Sequence, residues 1–245
     1  GLCERLLREG RAYRCFCTPQ ELEKRRSRQK GSGQEFLYDG TCRTISKEES
    51  DERCGRGEEY TIRFKTPHGK TAFSDTVYGE VSVDNSEIGD FIILRSDGTP
   101  VYQTAVVADD HDMGISYVIR GDDHLSNTPK QILLYRALGW EPPEFAHVPL
   151  ILGPDRKRLS KRHGAASVEE FKKEGYLPEA VVNYLVLLGW SPGDNREIMS
   201  GKELVEAFSL ERVSKNPAVF DQKKLDWFNS RYLQATEPES ILDAA

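Results

Sequence analysis

The chain has 245 residues, a net charge of −6, and a composition that is 30% charged and 38% hydrophobic. This length allows one large or two ordinary domains with a real core, and the composition is typical of a globular protein rather than a disordered or membrane-spanning one. The negative charge argues against a general nucleic-acid binder, whose domain is usually basic throughout, although it allows a local basic patch.

The cysteines and the first residues indicate where the protein works. Residues 1–12 lack the apolar region of a secretory signal. An odd number of cysteines in a chain too large to need covalent cross-links favours a reduced protein, so we expect a cytoplasmic location and no membrane. The five cysteines are Cys3, Cys15, Cys17, Cys42 and Cys54.

The first forty-five residues predict a helix, a strand and a second helix. Residues 2–9 have helical periodicity that Gly10 stops, and residues 13–17 have the pattern of a short strand. Thr18 and Glu21 can form a capping box that begins the next helix. Cys15, Cys17 and Cys42 form a candidate metal constellation, but zinc takes four ligands and only three cysteines are near. The alternative is that these cysteines are small buried hydrophobic residues.

The middle of the chain predicts strands and turns. Residues 60–95 have the pattern of β structure: apolar and polar side chains alternate at 60–64 and 77–83, and residues 91–94 form an apolar strand. The apolar run 101–108 fits either a helix or a strand; as a helix it would place Tyr102, Ala105, Val106 and Asp109 on one face.

A buried strand is predicted at residues 115–119, and the segment Arg120-Gly-Asp-Asp-His124 lies at its carboxyl end. Ligands bind at that edge of open α/β sheets. Arg120 suits bidentate binding of a carboxylate, and the alternative is a salt bridge to Asp122 or Asp123. A helix should then run from Thr128 to Gly139.

The last hundred residues combine a basic loop with helices. The segment from Gly153 to Gly164 is rich in lysine and arginine, which suits polyphosphate, although a solvated basic turn is the alternative. Four helices should follow, with capping residues or proline at their starts and Val181, Leu185, Leu188, Leu204, Ala207, Phe208, Leu225 and Phe228 facing inward.

Four motifs in order resemble the bacterial type of glutamyl-tRNA synthetase, a class I aminoacyl-tRNA synthetase. The segment Arg158-Leu-Ser-Lys-Arg162 is similar to the family's Lys-Leu-Ser-Lys-Arg signature. The other three are Val118-Ile-Arg-Gly-Asp-Asp-His-Leu-Ser-Asn-Thr-Pro-Lys-Gln131, Phe145-Ala-His-Val-Pro149, and Gly175-Tyr-Leu-Pro-Glu-Ala180 with Asn183-Tyr-Leu-Val-Leu-Leu-Gly-Trp190.

The resemblance implies an α/β fold, namely part of a Rossmann-like class I catalytic domain with an α+β connective insertion and a C-terminal helical stem-contact domain. The chain contains no His-Ile-Gly-His motif. We therefore expect a fragment that lacks this N-terminal part and the anticodon-binding domains, and that is inactive alone. The implied segments are a catalytic-domain helix (1–12), the tRNA acceptor-binding insertion (13–90), the second catalytic half with the signature loop (91–164), and the stem-contact domain (165–245).

The resemblance also assigns roles to residues. Lys161, Arg158 and Ser160 would be catalytic, and Arg120, Tyr102 and Val106 would bind glutamate. Tyr38 and Cys42 reproduce a Tyr-x3-Cys arrangement of the wider group, which would complete a structural zinc site. The ATP-binding residues would be Asp123, Ile151, Arg158, Lys161 and Arg162, and the zinc ligands would be Cys15, Cys17, Tyr38 and Cys42.

The implied activity is a glutamate–tRNA ligase: ATP with Mg²⁺ activates L-glutamate to glutamyl-adenylate, and glutamate passes to the 3′ end of tRNA(Glu). We expect a monomer. Two alternatives stay open at this point. One is a non-discriminating synthetase that also charges tRNA(Gln), and the other is a catalytically dead relative that binds tRNA or nucleotide.

Overall fold

The computed structural model describes residues 1–29, 36–159 and 167–237. The helices are α1 Leu2–Arg8, α2 Pro19–Gln29, α3 Lys47–Gly55, α4 Asn85–Ile88, α5 Tyr102–Asp112, α6 Thr128–Leu138, α7 Val168–Lys173, α8 Pro178–Leu187, α9 Gly201–Ala207 and α10 Gln222–Ala235. The strands are β1 Ala12–Cys15, β2 Thr61–Phe64, β3 Lys70–Asp75, β4 Gly79–Asp84, β5 Ile92–Leu94, β6 Tyr117–Gly121, β7 Glu144–Val148, β8 Ile151–Leu152 and β9 Ala218–Val219.

The described strands form three sheets. One has the order β1-β2-β5 with antiparallel pairing, the second has the order β4-β3-β7-β6, and β8 pairs with β9 in parallel. In the second sheet, β3 and β7 are parallel, with Asp75 opposite Phe145. A sheet that combines parallel pairing with helical connections agrees with the predicted α/β class. Strand β5 pairs with β2 in the first sheet.

The chain divides into two compact units. The first contains Gly1–Ser74, Glu80–Val118 and Leu125–Glu144. Its core packs α1 and α6 against β2 and β5, with Leu6, Ile93 and Leu134 almost fully enclosed. The carboxylate of Asp90 is buried in this unit, and it accepts hydrogen bonds from the Tyr13 hydroxyl, Arg43 and the Thr66 amide. Such a buried carboxylate is tolerable because its oxygens are fully engaged.

The second unit contains Asp75–Gly79, Ile119–His124 and the described residues from Phe145 onward. Its main core lies where α8 and α10 pack together, with Ala180, Leu225 and Phe228 inaccessible to solvent. The four described α-helices of this unit begin as the sequence predicts, and α8 has Pro178 in its first turn. Capping boxes at Ser167 and Ser200 start α7 and α9, and the Asp221 carboxylate accepts two backbone N–H groups at the start of α10.

The structure corrects two predictions of burial. The sequence predicts Ile119 inside a buried strand, but it is 55% exposed. Its neighbours Val118 and Arg120, whose side chains lie on the opposite face of β6, are half-buried. Phe208 was expected to face inward from α9, but it is 48% exposed. The helix ends at Ala207, and the extended backbone of Phe208 takes its side chain out of the helical period.

Two further expectations have different outcomes. The undecided run 101–108 is the helix α5, and it buries Thr104 and Val107. The division into four functional segments stays a prediction. Within the described part of the chain, no helix is both long enough and apolar enough to cross a membrane.

Candidate functional site

Arg120 lies near the end of β6 and is held by β7. Its Nε donates a hydrogen bond to Nε2 of His147 at 3.2 Å. Its guanidinium lies over the ring of Phe145, 5.8 Å from the centroid. Phe145 and His147 are two positions apart on β7, so their side chains emerge on the same face of the strand. Arg120 therefore has both a hydrogen-bond acceptor and an aromatic surface beside it.

His147 is itself fixed by Asp75 at the end of β3. Nδ1 of His147 lies 2.6 Å from Oδ2 of Asp75, and both side chains are completely buried. The Asp75 carboxylate also accepts the backbone N–H groups of Val77, Tyr78 and His147. Burial is the main reason that the pKa of His147 is lowered, and it outweighs the opposing effect of Asp75.

The turn after β6 carries Asp122 and Asp123, whose carboxylates have different partners. The Tyr78 hydroxyl donates to Oδ2 of Asp122 at 2.8 Å. Burial, followed by this hydrogen bond, raises the pKa of Tyr78 to about 12, which keeps the phenol a donor. The amine of Lys215 donates to the Tyr78 carbonyl at 3.2 Å. This connects the Asp122 turn to the loop before β9.

Asp123 contacts the base of the predicted signature loop. Nη1 of Arg158 donates to Oδ2 of Asp123 at 3.0 Å, although the two residues are 35 positions apart. A Cβ on Gly121 would stand 2.6 Å from Oδ1 of Asp123, so glycine allows this carboxylate its close approach. The Arg158 side chain is 68% exposed. Exposed ion pairs contribute only about 0–1 kcal/mol, so Arg158 can exchange Asp123 for another anion at little cost.

The described part of the signature loop is a tight turn. The Leu159 N–H donates to the Ile151 carbonyl at 2.9 Å, and the Gly153 N–H donates to the Lys157 carbonyl at 2.8 Å. Ile151, a predicted ATP-binding residue, is half-buried on β8. The predicted residues Ser160, Lys161 and Arg162 lie outside the described residues.

The other two predicted glutamate-binding residues lie on α5 in the first unit. Tyr102 begins this helix and is 47% exposed. Val106 is half-buried one turn later. Of the predicted site residues, the structure brings Asp123 into contact with Arg158. The roles of these two residues in binding ATP stay a prediction, and so do the roles of Arg120, Tyr102 and Val106 in binding glutamate.

The predicted zinc ligands converge in the first unit. The sulfur atoms of Cys15, Cys17 and Cys42 lie within 4.8 Å of one another, and the Cys17 and Cys42 sulfurs are 3.6 Å apart. The Tyr38 hydroxyl lies 3.4 Å from the sulfurs of Cys15 and Cys17, and it accepts the Cys42 N–H at 2.9 Å. We call these four residues the thiol cluster. They come from the end of β1 and from the turn before α3.

The electrostatics of the thiol cluster favour a thiolate at Cys15. The contact between Cys15 and Cys42 is the largest cause of both shifts: it lowers the pKa of Cys15 and raises that of Cys42. Burial raises the pKa of Tyr38. The Arg63 guanidinium lies over the Tyr38 ring, 3.9 Å from its centroid, and places a buried positive charge beside the cluster.

No sequence motif contains Asp75 or Tyr78, and the resemblance assigns no role to His147. Asp75 meets His147 across 72 positions of sequence. Neither residue belongs to a local motif with its partner, so no spacing rule could have paired them. The Phe145-Ala-His-Val-Pro149 motif was the one available signal, since it placed His147 in a segment similar to a synthetase.

Comparisons with known proteins agree on one family. The family model described as "tRNA synthetases class I (E and Q), catalytic domain" matches residues 1–227. The chain is 52% identical to "Glutamate--tRNA ligase 1" of Caldanaerobacter subterraneus over 98% of this chain and 50% of that protein. It is 53% identical to "Glutamate--tRNA ligase" of Geobacter sulfurreducens with the same coverage. The chain therefore spans about half the length of these curated relatives.

A solved structure shows the same fold. The glutamate tRNA ligase from Elizabethkingia meningosepticum, crystallised in complex with its amino acid, superposes with a TM-score of 0.86 at 36% sequence identity. The superposition covers 99% of this chain and 54% of that one.

Proposed function

The chain belongs to the class I tRNA synthetases for glutamate and glutamine, and from that premise we propose that it forms the central part of a glutamate–tRNA ligase. The full-length synthetase would activate L-glutamate with ATP, taken up as its Mg²⁺ complex, and pass glutamate to the 3′ end of tRNA(Glu). We propose that it works in the cytoplasm as a monomer. The five free cysteines fit a reducing compartment.

The observation that carries the proposal is the contact between Asp123 and Arg158. It joins the carboxyl end of β6, where α/β enzymes bind ligands, to the base of the cationic signature loop. Asp123 would accept a hydrogen bond from a ribose hydroxyl, and Ile151 would pack against the nucleotide. Arg158, Ser160, Lys161 and Arg162 would hold the departing pyrophosphate, whose negative charge grows in the transition state.

Glutamate carries two carboxylates, each of which needs a cation or hydrogen-bond donors. Arg120 would bind one of them, because a guanidinium matches a carboxylate in shape and charge. The resemblance assigns Tyr102 and Val106 to the same substrate.

Glutamate-dependent exchange of pyrophosphate into ATP tests the proposed function. We expect full-length synthetase containing this chain, with tRNA present, to catalyse the exchange with glutamate and far less with glutamine. Glutamine is the matched control because it has the same size but lacks the second carboxylate. Equal exchange with both amino acids, or none with glutamate, would contradict the proposal.

We further propose that the thiol cluster binds a structural zinc ion. Zinc–sulfur bonds of about 2.3 Å in a tetrahedron place sulfur atoms about 3.8 Å apart, close to the 3.6 Å between Cys17 and Cys42. The cluster offers three sulfurs and one phenol oxygen in a largely buried setting, with Arg63 to balance their negative charge. Bound zinc would supply no chemistry to the reaction; it would fasten β1 to the segment 38–42.

Replacement of Cys42 should remove the zinc. We expect purified wild-type chain to hold about one zinc ion, as a four-ligand structural site requires, and Cys42→Ser to hold much less and unfold at lower temperature. Metal analysis after zinc addition and desalting measures the first effect, and thermal melting the second. Cys54→Ser is the matched control, because Cys54 lies outside the cluster. Wild-type chain that retains no zinc after this treatment would rule out the site.

A further inference from the structure

Three buried or half-buried side chains of the second unit form a continuous line of hydrogen bonds. Asp75 contacts Nδ1 of His147 at 2.6 Å, and Nε2 of His147 accepts the Nε–H of Arg120 at 3.2 Å. Asp75 and His147 have no exposed side-chain surface. The proposed function assigns a role to Arg120 only. It does not explain why Asp75 and His147 are buried behind Arg120.

The partners of His147 determine where its ring proton lies. A neutral imidazole has one N–H and one acceptor nitrogen. The Arg120 Nε–H can only donate, so Nε2 must be the acceptor, and the proton must be on Nδ1, where it is donated to Asp75. Burial lowers the pKa of His147, as do the charge of Arg120 and that of His124, against the opposing effect of Asp75. The ring is therefore neutral at pH 7, as this arrangement requires.

A fixed Nε restricts how Arg120 can bind an anion. The guanidinium is planar, and its Nε–H lies in the same plane as its Nη groups. One in-plane hydrogen bond at Nε, with the Phe145 ring 5.8 Å from the central carbon, defines the orientation of the whole group. A carboxylate can then be bound by two parallel hydrogen bonds only through the two Nη groups.

We propose that His147 and Asp75 are positioning residues that set the guanidinium plane of Arg120 for a substrate carboxylate. This inference rests on the proposed function, since it assumes that Arg120 binds glutamate. His147 acts as a rigid acceptor, and Asp75 fixes its tautomer and its ring orientation. Neither residue touches substrate. Their effect should therefore appear in the affinity for glutamate rather than in that for ATP.

Two substitutions of His147 distinguish a positioning role from a packing role, because their side-chain amides occupy the places of different ring nitrogens. The asparagine amide of His147→Asn reaches the place of Nδ1 but leaves Arg120 without its acceptor. The glutamine amide of His147→Gln can place its oxygen near Nε2. In full-length synthetase we expect His147→Asn to raise the KM for glutamate about fivefold to tenfold, which is less than loss of Arg120 itself, because His147 acts on the substrate only through Arg120. We expect His147→Gln to raise it about twofold, and neither variant to change the KM for ATP by more than about twofold.

Equal increases in both KM values, or the same glutamate KM in both variants, would overturn the proposal. A second measurement uses the wild-type protein, so its result does not depend on whether a variant folds. In the ¹⁵N spectrum of histidine-labelled wild-type chain, His147 should show a protonated Nδ1 and an unprotonated Nε2. Either a protonated Nε2 or a doubly protonated ring at pH 7 would refute it.

The outcomes for Arg120 distinguish this inference from the proposed function. If Arg120→Ala leaves the glutamate KM unchanged, the glutamate site itself is misplaced. If Arg120→Ala raises the glutamate KM and His147→Asn does not, only the positioning role is wrong. A combined variant adds a further check, because His147→Asn should have no additional effect on the glutamate KM once Arg120 is alanine.

Discussion

Lys161→Ala should slow the formation of glutamyl adenylate by about a hundredfold or more, the usual result of losing one donor that stabilises developing charge. Pyrophosphate exchange in full-length synthetase, with tRNA present, measures this rate. Lys161 matches the second lysine of the family's signature. If its ammonium closes over the phosphates after ATP has bound, its contact is stronger in the transition state than in the ground state. Such a contact raises the turnover rate, so the KM for ATP should change much less.

The described part of the loop supports this expectation. Arg158 stands three positions before Lys161 and contacts Asp123 at 3.0 Å, so the chain enters the loop beside the proposed nucleotide contact. Arg158→Ala should slow the reaction less than Lys161→Ala, because neighbouring cations can replace part of its charge. Lys172→Ala is the matched control, since it removes the same charge from the exposed side of α7. An increase in the ATP KM alone would show that the loop only binds nucleotide.

Arg120→Ala should raise the KM for glutamate about tenfold or more in the same enzyme. Loss of a hydrogen-bond partner to a charged group costs about 1.5–3 kcal/mol, and each 1.4 kcal/mol corresponds to a factor of ten in affinity. The ATP KM should stay within about threefold, because Arg120 is assigned to the amino acid. Steady-state exchange kinetics with glutamate and ATP varied separately give both values.

Two further variants control this experiment. Arg120→Lys keeps the charge but has no planar fork, so its glutamate KM should lie between those of wild type and Arg120→Ala. Arg95→Ala removes an arginine from an exposed turn and should change neither KM. A glutamate KM that is the same in wild type and Arg120→Ala would mean that Arg120 serves the fold rather than the substrate.

The sequence alone determined the family and many local structures. The order of the four motifs identified the synthetase family, which the family model and the relatives confirm. Capping residues predicted where helices begin, as at Ser167, Ser200 and Asp221. These signals are readable because a cap acts on backbone groups within three residues of itself. The spacing of the cysteines likewise indicated a candidate metal constellation, and the resemblance added Tyr38 to it.

Only the tertiary structure decided which distant residues meet. Asp75 and His147 lie 72 positions apart, and Asp123 and Arg158 lie 35 apart. The tertiary structure also decided which face of β6 is exposed, and Ile119 lies on that face. The pattern of apolar and polar side chains predicts which residues favour burial, but it does not predict which strands are neighbours in a sheet. The chain of hydrogen bonds from Asp75 to Arg120 exists because β3 and β6 both end near β7, and that arrangement is a property of the sheet rather than of any segment.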